Sequence, residues 1–212
     1  MASGRKLLLI GGGGHCQSVL DCVPISEYEA IGIVEKTGCT VQNNPIVVGT
    51  DDDLPRLFRA GWTDAFITVG SIGETSLRRK LFLRIKELGF HIPCIIDASA
   101  IISKTAIIGE GCFIGKKAVV NARSTIGKCA IVNTGAIIEH DCELGAFSHI
   151  SPGAILCGGV KIGDDTHVGA GAVIRQELTV GERTVIGLGS VVVRNLPSEV
   201  KAYGNPCKVV LS

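Results

Sequence analysis

From Ile96 to Val192 an aliphatic residue returns every six positions without a slip of register: Ile96, Ile102, Ile108, Ile114, Val120, Ile126, and so on through Ile174, Val180 and Ile186. An α-helix would bring apolar residues back at spacings of three and four, and a half-buried flat sheet at two, so a period of six excludes both. It suits a coiled parallel β-structure in which each hexapeptide makes one short strand and one turn, and three hexapeptides make a triangular coil. Seventeen repeats give between five and six coils. The aliphatic column then stacks along the axis as a dry core, each repeat buried by its neighbours. Four residues further on, Ala106, Cys112, Ala118, Ser124, Ala130, Ala136 and Cys142 supply a second, small inward column. Glycine often follows the aliphatic residue directly, as at Gly109, Gly127, Gly145, Gly163 and Gly181. This predicts corners whose backbone angles other residues resist.

Residues 1–94 read differently. Lys6 to Ile10 is an apolar run closed by Gly11 to Gly14, and a helix-compatible stretch follows from His15 to Val23. Further strands are predicted at Ala30–Glu35, Pro45–Gly49 and Asp64–Gly70. Thr50 should cap a helix with Asp51, Asp52 and Asp53 in its first turn, where the dipole favours acids. Glu74–Leu88 reads as a helix ended by Gly89. Strands alternating with helices argue a small parallel sheet. The expected architecture is a Rossmann-like α/β domain over residues 1–94, followed by a left-handed parallel β-helix over residues 95–212.

Composition removes several function classes. The 21 basic and 20 acidic side chains leave no excess positive charge to attract nucleic acid or an anionic membrane surface. No apolar run approaches the ~20 residues needed to cross a bilayer, and Met1 to Lys6 lacks a signal-peptide layout, so a cytoplasmic location is expected. Nine cysteines are an odd number in a chain that is not small, which points to reduced thiols rather than a disulfide framework. Their spacings lack the close C-x2-4-C pairs that present two thiolates to zinc, and no metal is expected.

Two groups of residues carry candidate chemistry. Gly11 to Gly14 stand between a strand and a helix, where backbone N–H groups can approach a phosphate. The third glycine of the dinucleotide fingerprint is replaced by Cys16, which argues against NAD, and a tight turn without a ligand is the alternative. His15 can donate to a phosphate or cap the helix. Glu35 stands where a ribose-binding acid would sit, or is a solvated strand-end carboxylate. In the repeats, His140 lies two places past Ile138 and should project outward near a corner between Glu139 and Asp141. An exposed imidazole suits removal of a proton from an attacking amine or alcohol; a solvated polar corner would look the same. The offsets of Asn133 and His149 from His140 allow all three to gather on one side of adjacent coils. His167, eighteen residues after His149, should stack on it as an exposed surface residue, and His91 is read as structural.

Gly11–Gly14 with His15, then Asn133-x6-His140-Asp141-x7-His149, then Tyr203-Gly204-Asn205-Pro206-Cys207-Lys208, resemble the bacterial sialic acid O-acetyltransferase and nucleotide-amino-sugar N-acetyltransferase family. The resemblance covers nearly the whole chain. It implies acetyl-CoA as co-substrate, a homotrimer, and His140 as general base tuned by Asp141, with Asn133 beside them. It further implies coenzyme contacts from His149, Ala170, Gly187 and Leu188, and a nucleotide-sugar site at Gly13, Gly14, His15, Glu35 and Gly70. Relatives can carry two acids at the end of the second strand; here Glu35 is followed by Lys36, which leaves the nucleotide base open. The expected activity is acetylation of the amino group of a nucleotide-linked amino sugar. O-acetylation of a sugar or sialic acid is the second reading, and a non-catalytic nucleotide-sugar-binding scaffold the third.

Overall fold

The computed structural model describes residues 4–36 and 47–210. It divides into two compact units, Met1–Gly70 with Ser76–Pro93, and Ser71–Thr75 with Cys94–Ser212.

In the first unit, strands β1 (Lys6–Ile10), β2 (Ala30–Val34), β3 (Val47–Gly49) and β4 (Asp64–Ile67) form one parallel sheet in the order β3-β2-β1-β4. The predicted third strand is seen over Val47–Gly49; its first two residues lie outside the described residues. Helix α1 (Gly14–Leu20) lies between β1 and β2, α2 (Leu54–Arg59) between β3 and β4, and α3 (Ser76–Glu87) follows β4. A central parallel strand is buried on both faces, which is why β1 reads as an unbroken apolar run with Leu7, Leu8 and Leu9 fully buried. The Asp51–Asp53 segment is a single 3₁₀ turn ahead of α2, and the Asp53 carboxylate accepts from the Thr50 N–H at 2.8 Å. The chain direction reverses order between β1 and β4, so the crevice outside the strand ends at that point is where open α/β sheets take ligands.

The second unit is a left-handed β-helix. Two-residue strands recur every six residues and fall on three faces: sheets of five, six and eight strands. Each strand pairs in parallel with the one eighteen residues on, as Ile126 with Leu144 and Ile150 with Val168. The aliphatic column from Ile114 to Val192 is buried, and each such side chain removed from water contributes about 1.5–3 kcal/mol before entropy is counted. Cys112 and Cys142 sit in the small inward column. The serines and threonines of that column bond to main-chain carbonyls, as Ser124 to Glu139 O at 2.7 Å and Thr166 to Gly181 O at 2.7 Å. After the last coil, Lys201–Tyr203 pairs with Ile186's strand and then with the antiparallel strand Lys208–Val210.

One expectation is corrected. The glycines following the aliphatic column do not adopt left-handed angles. They are small because the neighbouring coil is too near: a Cβ on Gly145 would lie 2.4 Å from Asp164 N, and one on Gly127 2.6 Å from Ala146 N. The left-handed positions fall two residues later. Gly111, Gly135, Gly153, Gly171 and Gly189 occupy some, and Lys117, Arg123, Asp141, Asp165, Glu177 and Arg183 occupy others at φ of 51° to 60°. The corner therefore tolerates L residues, whereas the stack of Gly109, Gly127, Gly145, Gly163 and Gly181 beside the five-stranded face leaves no room for a Cβ between coils.

Gly145→Ala should accordingly cost about 1–3 kcal/mol in urea unfolding, as overpacking does. Gly153→Asn should cost less, since space is open there and Asn adopts the left-handed region. Equal losses would show that backbone angle, not coil spacing, decides.

Candidate active site

His140 and Asp141 occupy the turn leading from the six-stranded face to the five-stranded face. His140 Nδ1 is 2.7 Å from Asp141 Oδ2. An ionised carboxylate only accepts, so the proton stands on Nδ1 and the Nε2 lone pair is left for another partner. The Arg123 guanidinium first, and the His140 ring second, hold the Asp141 carboxyl well below the usual carboxylate range, at about 2. The imidazole lies across Gly158 in the next coil. A Cβ there would stand 2.6 Å from His140 Cε1 and 2.7 Å from Nε2, so only glycine admits the ring in this position. His140, Asp141, Cys157, Gly158, Gln176 and Glu177 line an open groove of about 440 Å³.

Asn133 and His149 stand elsewhere. Asn133 begins the corner after the eight-stranded face, and His149 lies on that face. The expected gathering of all three around one side is not what the coil allows. Offsets of seven and nine residues are a third and a half of an eighteen-residue turn, so they carry a side chain to another face. The sixteen residues from Asn133 to His149 nearly close a turn, and Asn133 Nδ2 is 3.4 Å from His149 Nε2. The His149 Nδ1–H donates to Ser71 O at 3.0 Å, within the short segment that lies with this unit. His167 stacks on His149 edge to face at 4.9 Å, yet it is buried rather than exposed, and burial pushes its imidazole below the usual range. Ala170 and Leu188 follow Asn133 along the same corner, with Gly189 N donating to Ala170 O at 2.8 Å. Leu188 is 81% exposed. The Tyr203 ring occupies the side of Gly187 where a Cβ would point.

In the first unit, Gly11 takes φ 104° at the end of β1, and the Thr68 hydroxyl donates to its carbonyl. Gly12 N–H donates to one Glu35 oxygen and Lys36 N–H to the other, so Glu35 fastens the glycine loop. Nothing lies within 4 Å of a Cβ placed on Gly13 or Gly14. A Cβ on Gly70 would make ordinary contact with His15 at 3.6 Å. The loop, Glu35, His15 and Gly70 thus share the carboxyl-end edge of the sheet. Burial, and secondarily the Arg78 guanidinium, lower His15 to about 4, so near neutral pH the ring is uncharged.

Arg123 and Gly158 were not singled out from sequence, although each stands eighteen residues from a residue that was. Ser71 and Arg78 carry no comparable signal. His91 joins Arg5 and Asp64 in a polar cluster of the first unit. Among the described residues no three His, Cys, Asp or Glu side chains are grouped to hold a metal, and no helix is long and apolar enough to cross a membrane.

Residues 6–85 match the PglD N-terminal domain, residues 105–146 the hexapeptide repeat of succinyl-transferase, and residues 141–176 the bacterial transferase hexapeptide. Among solved structures, the chain is similar to perosamine N-acetyltransferase from Caulobacter crescentus. A histidine variant of that enzyme, in complex with CoA and GDP-perosamine, matches at 36% identity over 98% of this chain and 97% of that one, with a TM-score of 0.91. The acetyltransferase domain of PglB from Neisseria gonorrhoeae matches at 37% identity over 97% and 100%, TM-score 0.91. Its complex with acetyl coenzyme A matches at 36% identity over 98% and 100%, TM-score 0.89. A search of curated proteins gave no match.

The low value of His15 has a signed consequence. Its folded value lies below the ordinary 6.5, so the unfolded chain takes up the proton first as pH falls. His15 should therefore reduce stability from about pH 6.5 down to about pH 4 and leave it unaffected above that window. Histidine NMR should find the His15 ring neutral at pH 5.5; a midpoint near 6.5 would contradict its burial.

Proposed function

The chain belongs to the PglD-type hexapeptide acyltransferase family, and from that membership we propose that it transfers the acetyl group of acetyl-CoA to the amine of a nucleotide-linked amino sugar. The observation that carries the reading is His140, whose Nδ1–H is engaged by Asp141 while Nε2 borders an open groove. As the neutral acceptor amine attacks the thioester carbonyl, Nε2 takes its proton, the C–S bond breaks, and the imidazolium returns the proton to the departing thiolate. Holding both substrates in place supplies further advantage. Similarity of 36% to a perosamine N-acetyltransferase over almost the full chain favours nitrogen over oxygen as the acceptor, and similarity to two acetyltransferases favours catalysis over a passive scaffold.

The residues divide the work as follows. Gly13 and Gly14 offer backbone amides to the nucleotide's phosphates, with His15, Glu35 and Gly70 around them. Acetyl-CoA lies along the corner carrying Asn133, His149, Ala170, Gly187 and Leu188. No metal takes part, and the cytoplasm is the working compartment.

Base and coenzyme corner are different edges of one triangular coil, so a site using both is completed by a second copy. The outward residues of the six-stranded face, Ile101, Val119, Ile137, Ile155, Val173 and Val191, form an unbroken aliphatic stripe. Those of the five-stranded face are polar beyond Ile107: Thr125, Glu143, Lys161 and Thr179. Closed threefold packing would cover the stripe. Light scattering should give three times the 22.1 kDa chain mass; a monomer at micromolar concentration would remove the shared site.

His140→Ala should lower kcat by about 10²–10⁴ with little change in the KM for acetyl-CoA. His149→Ala should weaken acetyl-CoA binding more than it slows chemistry. If His140→Ala keeps near-native kcat while His149→Ala abolishes it, the two roles are exchanged.

A further inference from the structure

The orientation of His140 depends on Asp141, and Asp141 is gripped from outside its own turn. Arg123 stands at the same corner one coil earlier. Its Nε donates to Asp141 Oδ1 at 2.6 Å and its Nη2 to Oδ2 at 2.8 Å. Oδ2 is also the oxygen facing His140 Nδ1 at 2.7 Å. Arg123 is itself tied to the coil before it, its N–H donating to Thr105 Oγ1 at 3.1 Å. Asp141 N–H donates to Ala122 O at 2.9 Å, so the two turns are joined through backbone as well as side chain.

A carboxylate on an exposed turn can rotate, and one whose second oxygen is free can leave the imidazole for water. Two parallel N–H···O bonds from a planar fork remove that rotation. We propose that Arg123 is a positioning residue for the base: its bidentate grip on Asp141 keeps Oδ2 at His140 Nδ1, and so keeps Nε2 directed to the groove. The inference rests on the reading of His140 as the base. It fits the far side of the ring, where Gly158 leaves only backbone for the imidazole to lie on. The charged groups facing Asp141 are Arg123 from the preceding coil and His140 from its own turn; the following coil stacks Gly159 on it, and Glu177 lines the same groove one coil further. A carboxyl at its ordinary value of about 3.9 is already ionised across the working range of pH, so the grip of Arg123 acts on direction and not on charge. Lysine could supply the charge but not the fork.

The test compares full-length wild type with Arg123→Gln, Arg123→Lys, Asp141→Asn and the Arg123→Gln/Asp141→Asn double variant. Acetyl-CoA is the donor and GDP-perosamine the acceptor probe. Arg123→Gln should lower kcat by about tenfold while both KM values stay within about twofold. The loss should be nearly the same at pH 6 and at pH 8, because Asp141 stays ionised at both even at the ordinary carboxylate value of about 3.9. Arg123→Lys should hold the Asp141 carboxyl low in ¹³C NMR yet recover little kcat. In the Asp141→Asn background, Arg123→Gln should cost nothing further. Wild-type kcat in Arg123→Gln, or the same loss with and without Asp141, would overturn the proposal. An Asp141 titration unmoved by Arg123→Gln would do so even if the acceptor probe were not turned over, which separates this failure from that of the proposed activity.

Discussion

The second unit depends on one constraint: successive coils are hydrogen-bonded backbone to backbone at strand spacing, about 4.8 Å. Gly109 N to Ile126 O, Gly127 N to Leu144 O, Gly145 N to Ile162 O and Gly163 N to Val180 O are one such ladder, each at 2.8 Å. On the five-stranded face a methyl group on the residue after the aliphatic one would meet the backbone of the next coil, and a column of glycines stands there; after the six-stranded face the same position carries Asn121, Glu139, Cys157 and Arg175. The same spacing places each side chain directly over one eighteen residues away, so the ladder dictates side-chain neighbours as firmly as it dictates backbone ones.

The groove around His140 is built from that rule. Asp141 lines it beside His140 and is held from the preceding coil by Arg123, an opposite charge at the same register position; above the imidazole stands Gly158, which has no side chain there. A solvated ion pair contributes little to stability. Its value here is directional. The turn holding Asp141 is left-handed at φ 60°, which aims the carboxylate back along the corner toward both His140 and Arg123. The first unit uses a different device: Glu35, at the end of β2, fastens Gly12 and leaves the next two glycines uncovered.

The β-helix was legible because its core is written as a strict period, and burial of Ile114 through Val192 follows from pattern alone. The α/β unit was legible from runs and breakers, to within a few residues at element ends. Glycine was read correctly as a corner signal but for the wrong cause, since close approach and a left-handed angle leave the same letter in the sequence. The relation of Asn133, His140 and His149 was misjudged because linear nearness is a poor guide in a coil: seven residues reach another face, sixteen nearly return. Arg123 and Gly158 were overlooked for the converse reason. The grip of Ser71 on His149 passes through a backbone carbonyl, which any residue can supply.

A parallel solenoid has no inherent length. Its last coil presents the same row of donors and acceptors as the coil before it, and so the same template for a neighbouring molecule's first coil. On the eight-stranded face the last described strand, Lys208–Val210, runs instead against Lys201–Tyr203. That reversal spends the outermost edge on the chain's own strand and offers the next molecule one of the opposite sense. Growth by end-to-end addition of parallel coils then loses its register on that face.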